Sequence, residues 1–314
     1  MHVAVTGAAG FIGSHMAEAL SQSGHTVTGI DRFSDFYSPL VKQRNTNRLA
    51  ACGVRVLRLD LAQDSLVEML AGAEAIIHLA AQPGLATDVG FELYLHDNLI
   101  ATQRLVEAAQ VAPRLRALPY VSTSSVYGRH ADGDEESAPK PVSHYGVTKL
   151  AAEQFVLAAQ RNDRLPASVF RLFSVYGPRE RPDKLLPRLI DALATDRLFP
   201  LYTGSEHHQR SFTFVGDAVA GLMAGLNQHQ ICEGEIFNLG NPATVTTREF
   251  IVAAEHLMGR RLRVEYRPPR SGDQESTRAN ISKIRRVLGV EPTTSIYDGL
   301  TQTIAAYEWD HRVH

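Results

Sequence analysis

The stretch that most constrains the fold is Thr6-Gly7-Ala8-Ala9-Gly10-Phe11-Ile12-Gly13, which joins an apolar run at 3–5 to a helix-like run at 11–20. Gly7 can take a tight turn, Gly10 places no Cβ between the backbone and an approaching phosphate, and Gly13 lets a helix lie close to a strand. Free N–H groups at a helix N-terminus attract anions. A turn of this kind is therefore expected to seat a dinucleotide pyrophosphate, with Phe11 and Ile12 joining the three glycines as contacts. A second apolar run ends at Ile30-Asp31, where a carboxylate can accept hydrogen bonds from the adenosine ribose and repel a 2′-phosphate. NAD is favoured over NADP, although Arg32 beside it leaves room for the phosphate.

Strand-like runs at 3–5, 26–30, 54–59, 75–79, 117–122 and 168–173 alternate with helix-like stretches such as 11–23, 66–70 and 98–109. That alternation implies crossover connections and a fold of the α/β class, a Rossmann-type doubly wound parallel sheet with helices on both faces. Residues 32–48 read as a loop plus a short helix. Past Gly177 the pattern changes, with Pro178, Pro182, Pro187 and Pro200, and later Pro268-Pro269, interrupting the chain. The expected division is a dinucleotide-binding domain over 1–176 and a smaller α/β substrate lobe over 177–314, with segments near 211–240 packing back on the first. Such a lobe would close a cleft beyond the carboxyl ends of the strands.

A formal net charge of −2 suggests neither a nucleic-acid surface nor a basic membrane patch. No apolar run approaches the length of a bilayer span, and a strand starting at the second or third residue leaves no room for a leader. Cys52 and Cys232 suit buried thiols in a reducing compartment, so a cytoplasmic protein is expected.

Asp60-Leu61 closes the third run. Its carboxylate can accept from an adenine amino group or simply hold a turn, and the residues alone leave both open. His78-Leu79-Ala80-Ala81-Gln82 closes the fourth, where small alanines suit either a cofactor lying on the backbone or tight helix–strand packing. Four hydroxyls, Ser122-Thr123-Ser124-Ser125, follow the fifth run, and Tyr145-Gly146-Val147-Thr148-Lys149 opens an alanine-rich helix. Tyrosine and lysine four apart share one helix face. An ammonium near a phenol favours the phenolate, a usable general base, while a hydroxyl of the preceding loop can orient the substrate alcohol.

With these motifs in order, the chain resembles the extended short-chain dehydrogenases/reductases of the nucleotide-sugar epimerase/dehydratase type. The likeness runs through Asn98 and Arg171–Pro178 to Arg210-Ser211-Phe212-Thr213-Phe214-Val215-Gly216-Asp217 and Arg270-Ser271-Gly272-Asp273, nearly the whole chain. It implies a tightly held NAD, contacted also by Leu79, Ala80, Ala81 and Asn98. It further implies Tyr145 as catalytic base, Lys149 on the nicotinamide ribose, Thr123 as the orienting hydroxyl, and a homodimer built on the helices around 98–109 and 145–160.

Two segments narrow the substrate. Family members that dehydrate a sugar carry an Asp-Glu pair before Val-Tyr-Gly, and those that decarboxylate a UDP-uronic acid carry glutamate in the second place. This chain has Ser124 and Ser125 there, resembling the Thr-Ser-Ser of UDP-glucuronate 4-epimerases, and hydroxyls can donate to a sugar carboxylate where a glutamate would repel it. The segment 173–183, Phe-Ser-Val-Tyr-Gly-Pro-Arg-Glu-Arg-Pro-Asp, resembles the uronate epimerases' Phe-Thr-Val-Tyr-Gly-Pro-Arg-Gln-Arg-Pro-Asp. Ser174 can add a donor and Arg181 a positive charge; read alone, Arg179 and Arg181 would be solvated loop residues. Arg210 and Arg270 are the expected partners of the UDP diphosphate, with Asp273 beside them. The chain departs from the pattern at Leu85-Ala86, where many relatives place Val-Arg, and at Gly216, where aspartate is common. His207-His208 lacks a second ligand set, and no metal is expected. The expectation is reversible C4 epimerisation of UDP-glucuronate. Neutral UDP-sugar epimerisation, decarboxylation and a non-catalytic NAD sensor are the alternatives, in falling order.

Overall fold

Seven parallel strands carry the chain: β1 (His2–Thr6), β2 (Thr26–Asp31), β3 (Arg55–Arg58), β4 (Ala75–His78), β5 (Leu118–Thr123), β6 (Ala167–Leu172) and β7 (Ile236–Leu239). They belong to a computed structural model that describes residues 1–84, 89–269 and 274–312. The sheet order is β7-β6-β5-β4-β1-β2-β3. The chain runs outward from β1 to β3, then crosses back to β4 on the other side of β1. A topological switch point therefore lies between β1 and β4, where open α/β sheets bind ligands beyond their carboxyl ends.

The alternation of side chains along the strands sorts the core. Val3 and Val5 of β1 and Ile77 of β4 join one apolar cluster, while Ala4 and Ile76 join a second. Alternate residues point to opposite faces of a strand, so both faces of the sheet are buried, as crossover helices require. The helices that matter for the site are α1 (Phe11–Gln22), α2 (Pro39–Ala51), α3 (Ala101–Gln110) and α4 (His144–Asp163). The second is a full 13 residues, longer than the short helix expected, started by Pro39 in its first turn and anchored by buried Leu49. A π-helical turn over Leu95–Ile100 leads directly into α3.

Beyond β6 come α5 (Leu185–Thr195), α6 (Val215–Asn227) and α7 (Thr247–Met258). The last opens with a capping box between Thr246 and Glu249. Short strands join the two parts of the chain: Gln209–Arg210 pairs with Ser276–Thr277, which pairs with His130–Ala131. The seventh strand goes beyond the six runs expected. It pairs in parallel with β6, Ile236 beside Val169 through Leu239 beside Leu172, and α6 packs against α1. Among the described residues no helix is long and apolar enough to cross a membrane.

Candidate active site

A cleft of about 610 Å³ opens at the carboxyl ends of the strands. On its β1 side the glycine turn adopts the geometry its spacing implies. Gly7 has φ +70°, and a Cβ there would lie 3.0 Å from the Ala80 backbone nitrogen. A Cβ on Gly13 would stand 2.1 Å from the Gly7 carbonyl oxygen, so only glycine lets α1 start this close to β1. Gly10, Phe11 and Ile12 line the cleft beside them.

Asp31 closes this corner and is buried. Its Oδ2 accepts from the Ala9 N–H at 3.2 Å and its Oδ1 from the Phe33 N–H at 2.7 Å. The inward face of α2 adds two braces: Lys42 Nζ lies 3.3 Å from Asp31 Oδ1, and Asn45 Nδ2 donates to the Ala9 carbonyl at 2.9 Å. Arg32 is held by Asp97 at 2.6 Å. Asp60 holds a turn, its Oδ1 accepting from the Ala62 N–H at 2.9 Å, and with Leu61 it also lines the cleft.

The Leu79-Ala80-Ala81 wall is set by a buried relay. Thr6 Oγ1 accepts from the Leu79 and Ala80 N–H groups, each at 3.1 Å, and bonds to His78 Nδ1 at 2.7 Å. His78 Nε2 lies 2.9 Å from Thr102 Oγ1, whose proton goes to the Asn98 carbonyl at 2.6 Å. One assignment satisfies every member: Thr6 donates to Nδ1 and Nε2–H donates to Thr102. Burial, aided by the Lys149 charge, pushes the imidazole down to about 3, so His78 stays neutral.

Asn98 differs from expectation. It is fully buried in the π-helical turn, behind the cleft wall. Its Oδ1 accepts from the Gln82 N–H at 2.7 Å, and its Nδ2 donates to the Gln82 carbonyl at 3.2 Å and to Thr148 Oγ1 at 3.0 Å. The side chain clamps the Gln82 loop to α4 and acts on the cleft through them. Along the same wall, Gln82 Nε2 and Ser122 Oγ are buried without a hydrogen-bond partner among the described residues. A glycine cradle, a buried carboxylate at the end of β2 and two unused polar groups fit a dinucleotide.

Helix α4 starts where Ser143 Oγ accepts from the Gly146 N–H at 3.1 Å. Tyr145 and Lys149 follow one turn apart and line the cleft with Thr123. The Thr123 hydroxyl caps the short turn Ser124–Tyr127 by accepting from the Ser125 N–H at 3.1 Å, and it lines the cleft with the Tyr145 phenol. Burial raises the phenol above its ordinary value, opposed by the Thr123 hydroxyl and by the Arg181 charge. Lys149 does not supply the bias expected of it. Its ammonium donates to the Val121 carbonyl at 2.7 Å and lies 4.2 Å from the centroid of the Tyr120 ring. Burial pushes Lys149 down to about 7, with Glu153 pulling the other way.

The cleft is also lined by Ser124, Ser125, Ser174, Arg181 and Arg210. Arg179 and Arg181 are not solvated loop residues. Arg179 braces the loop on α1, reaching Glu18 at 2.5 Å and Ser14 Oγ at 3.4 Å. Arg181, 6% exposed, pairs with Asp183 at 2.9 Å and stacks 5.3 Å from the Phe36 ring centroid. Arg210 donates to the Gln274 carbonyl and lies near His208. Arg270, Asp273 and the Leu85-Ala86 departure lie outside the described residues. Among those described, no group of three His, Cys, Asp or Glu is arranged to hold a metal. Sequence reasoning misses Lys42, whose spacing from Asp31 carries no motif. It also passes over Glu180, which lies within the 173–183 segment but has no signal of its own there.

Residues 3–240 match the model of the NAD dependent epimerase/dehydratase family. The chain is 35% identical over 313 residues to an uncharacterized UDP-glucose epimerase of Bacillus subtilis, covering 97% of each protein. It is 31% identical over 319 residues to UDP-glucuronate 4-epimerase 3 of Arabidopsis thaliana, covering 95% of this chain and 74% of that one. The crystal structure of UDP-glucuronic acid 4-epimerase from Bacillus cereus in complex with UDP-glucuronic acid and NAD superposes with a TM-score of 0.94 at 34% identity, covering 98% of this chain and 99% of that one.

Proposed function

The chain belongs to the NAD-dependent epimerase/dehydratase family, and from that premise we propose that it inverts C4 of UDP-glucuronate reversibly to give UDP-galacturonate. The observation that carries this reading is the cleft wall itself. Thr123, Ser124 and Ser125 offer hydroxyls, with no carboxylate among them, in one cleft with Ser174, Arg181 and the Tyr145 phenol. A site for a uronate needs donors and positive charge, and this one has both.

In this reading the turn of Gly7, Gly10 and Gly13, with Phe11 and Ile12, would hold the NAD pyrophosphate. Asp31 would hold the adenosine ribose, and Asp60, Leu61 and the 79–81 wall the adenine end. Lys149 would reach the nicotinamide ribose. When bound, NAD supplies reversible hydride acceptance at C4, with no net redox change over a cycle. Tyr145 removes the proton of the C4 hydroxyl as general base, and Thr123, lining the same cleft, orients that hydroxyl. Arg210 and Arg270 would take the diphosphate, with Asp273 nearby. A 4-keto uronate is a β-keto acid prone to lose carbon dioxide. The hydroxyl loop, Ser174 and Arg181 would hold the carboxylate in an orientation that disfavours the loss. On the same premise, residues 1–176 chiefly hold the dinucleotide and 177–314 chiefly the sugar nucleotide.

The test is incubation of the purified protein with UDP-glucuronate, followed by proton NMR without added reductant. A mixture approaching equilibrium with UDP-galacturonate, with little UDP-pentose, is the expected result. UDP-pentose as the main product would sink the reading. A Ser125→Glu variant should release several-fold more UDP-pentose than wild type, and an unchanged yield would strip the hydroxyl loop of its assigned role. The name of the Bacillus subtilis relative favours one second reading, a neutral UDP-sugar 4-epimerase, so UDP-glucose belongs in the same assay.

We further propose a cytoplasmic homodimer. Half-exposed Val147 and Phe155 on α4 support the expected helix-to-helix contact. Sedimentation velocity would show two copies, and a single copy at micromolar concentration would end that proposal.

A further inference from the structure

Glu180 lines the cleft and has no role in the reading above. It follows Arg179, whose backbone is left-handed at φ 67°, a conformation that costs a non-glycine residue free energy. The bonds from Arg179 to Glu18 and Ser14 hold that conformation in place. The Glu180 Oε2 is shielded from solvent without a hydrogen-bond partner among the described residues. An ionised carboxylate in that position would be costly. Glu180 lines the same cleft as Ser174, Arg181 and the Tyr145 phenol, the groups assigned above to the reacting sugar.

We propose that Glu180 is a specificity-determining acid: protonated, it donates a hydrogen bond to the carboxylate of the bound uronate, and ionised, it repels that carboxylate. This rests on the UDP-glucuronate reading. The resembling motif of uronate epimerases has glutamine at this place, a donor at every pH. A neutral carboxyl reproduces that donor and adds a proton-dependent switch.

The groups facing the carboxyl are Lys184 and Arg181, which favour its ionised form, and Asp183, which opposes it; Tyr176 also feels its charge. Burial outweighs both cations and pushes the carboxyl up to about 8. Below that value the donor is present; above it the site carries an added negative charge. Uronate affinity therefore falls as pH rises through about 8. A neutral sugar has no carboxylate to repel, so its affinity should stay level.

The experiment is calorimetric titration of UDP-glucuronate and of UDP-glucose into NAD-loaded protein at pH 6.5 and 9.0. A Tyr145→Phe background stops turnover, and the comparison is made with and without Glu180→Gln. With Glu180 present, the Kd for UDP-glucuronate should weaken about tenfold between the two pH values. UDP-glucose should change less than twofold, and the Glu180→Gln protein should be level for both. Lys149 titrates in the same range but is common to every arm. Equal pH responses with and without Glu180, or an equal response for UDP-glucose, would overturn the inference while leaving the epimerase reading intact. Binding of UDP-glucose with no binding of UDP-glucuronate at either pH would overturn both. A readout that needs no variant at position 180 guards against misfolding. At pH 8.5, titration in buffers of different ionisation enthalpy should show net proton uptake with UDP-glucuronate and none with UDP-glucose. No uptake with the uronate would also overturn the inference.

Discussion

Replacing Tyr145 by phenylalanine should lower kcat by about 10³-fold, within the range expected for loss of a positioned general base. UDP-sugar affinity should change little. The helix cap is the reason. Ser143 fixes the first turn of α4, so residue 145 is aimed at the hydroxyl loop whichever aromatic ring stands there. Phenylalanine keeps the ring and removes only the phenol oxygen. Burial raises the phenol, so the phenolate is a minor species at neutral pH and activity should climb with pH until other groups intervene. Single-turnover measurement of C4 inversion beside a binding titration separates loss of the base from loss of the site. Turnover within tenfold of wild type would show that another group takes the proton.

Much of this site is legible in the residues, and the failures have physical causes. The glycine turn, Asp31 and the tyrosine–lysine helix are local: each depends on residues within one turn or one strand end, which sequence spacing records. The seventh strand is different. Its run Ile236-Phe237-Asn238-Leu239 is short, and a polar residue breaks its apolar character. Asn238 is tolerated there because partners from distant segments satisfy it. Its N–H donates to Glu135 at 2.7 Å, and the Tyr127 hydroxyl donates to its Oδ1 at 2.8 Å. No local pattern announces that arrangement. Asn98 stands where the family motif places it in the chain, but a π-helical turn directs it into the wall, and that turn has no sequence mark. The expected action of Lys149 on the phenol comes from spacing on one helix. Spacing cannot show that the Val121 carbonyl and the Tyr120 ring also compete for the ammonium.

The same distant polar contacts support the prediction with the largest effect on stability. Arg171 on β6 and Glu153 on α4 form a fully buried pair, with Nε to Oε2 at 3.1 Å and Nη2 to Oε1 at 2.5 Å. The guanidinium also donates to the Tyr127 hydroxyl at 2.8 Å and sits 4.9 Å from the centroid of its ring. The pair therefore ties α4, one turn beyond Lys149, to the end of the hydroxyl loop and through Asn238 to β7. Removing one partner leaves the other charged and buried. A Glu153→Ala protein should lose about 3–5 kcal/mol of stability, since arginine cannot escape by losing its proton. Replacing both residues by methionine should recover much of that loss, because a well-packed apolar pair avoids the desolvation cost. Glu153 also holds the Lys149 ammonium up, so its loss should move the alkaline limb of the activity profile to lower pH. Denaturant unfolding of the two variants, with pH–rate profiles on whatever folds, tests both halves. Unfolding of Glu153→Ala at the wild-type denaturant concentration would mean that water or a neighbouring group already shares the guanidinium. The buried network would then contribute little to holding α4 against the sheet.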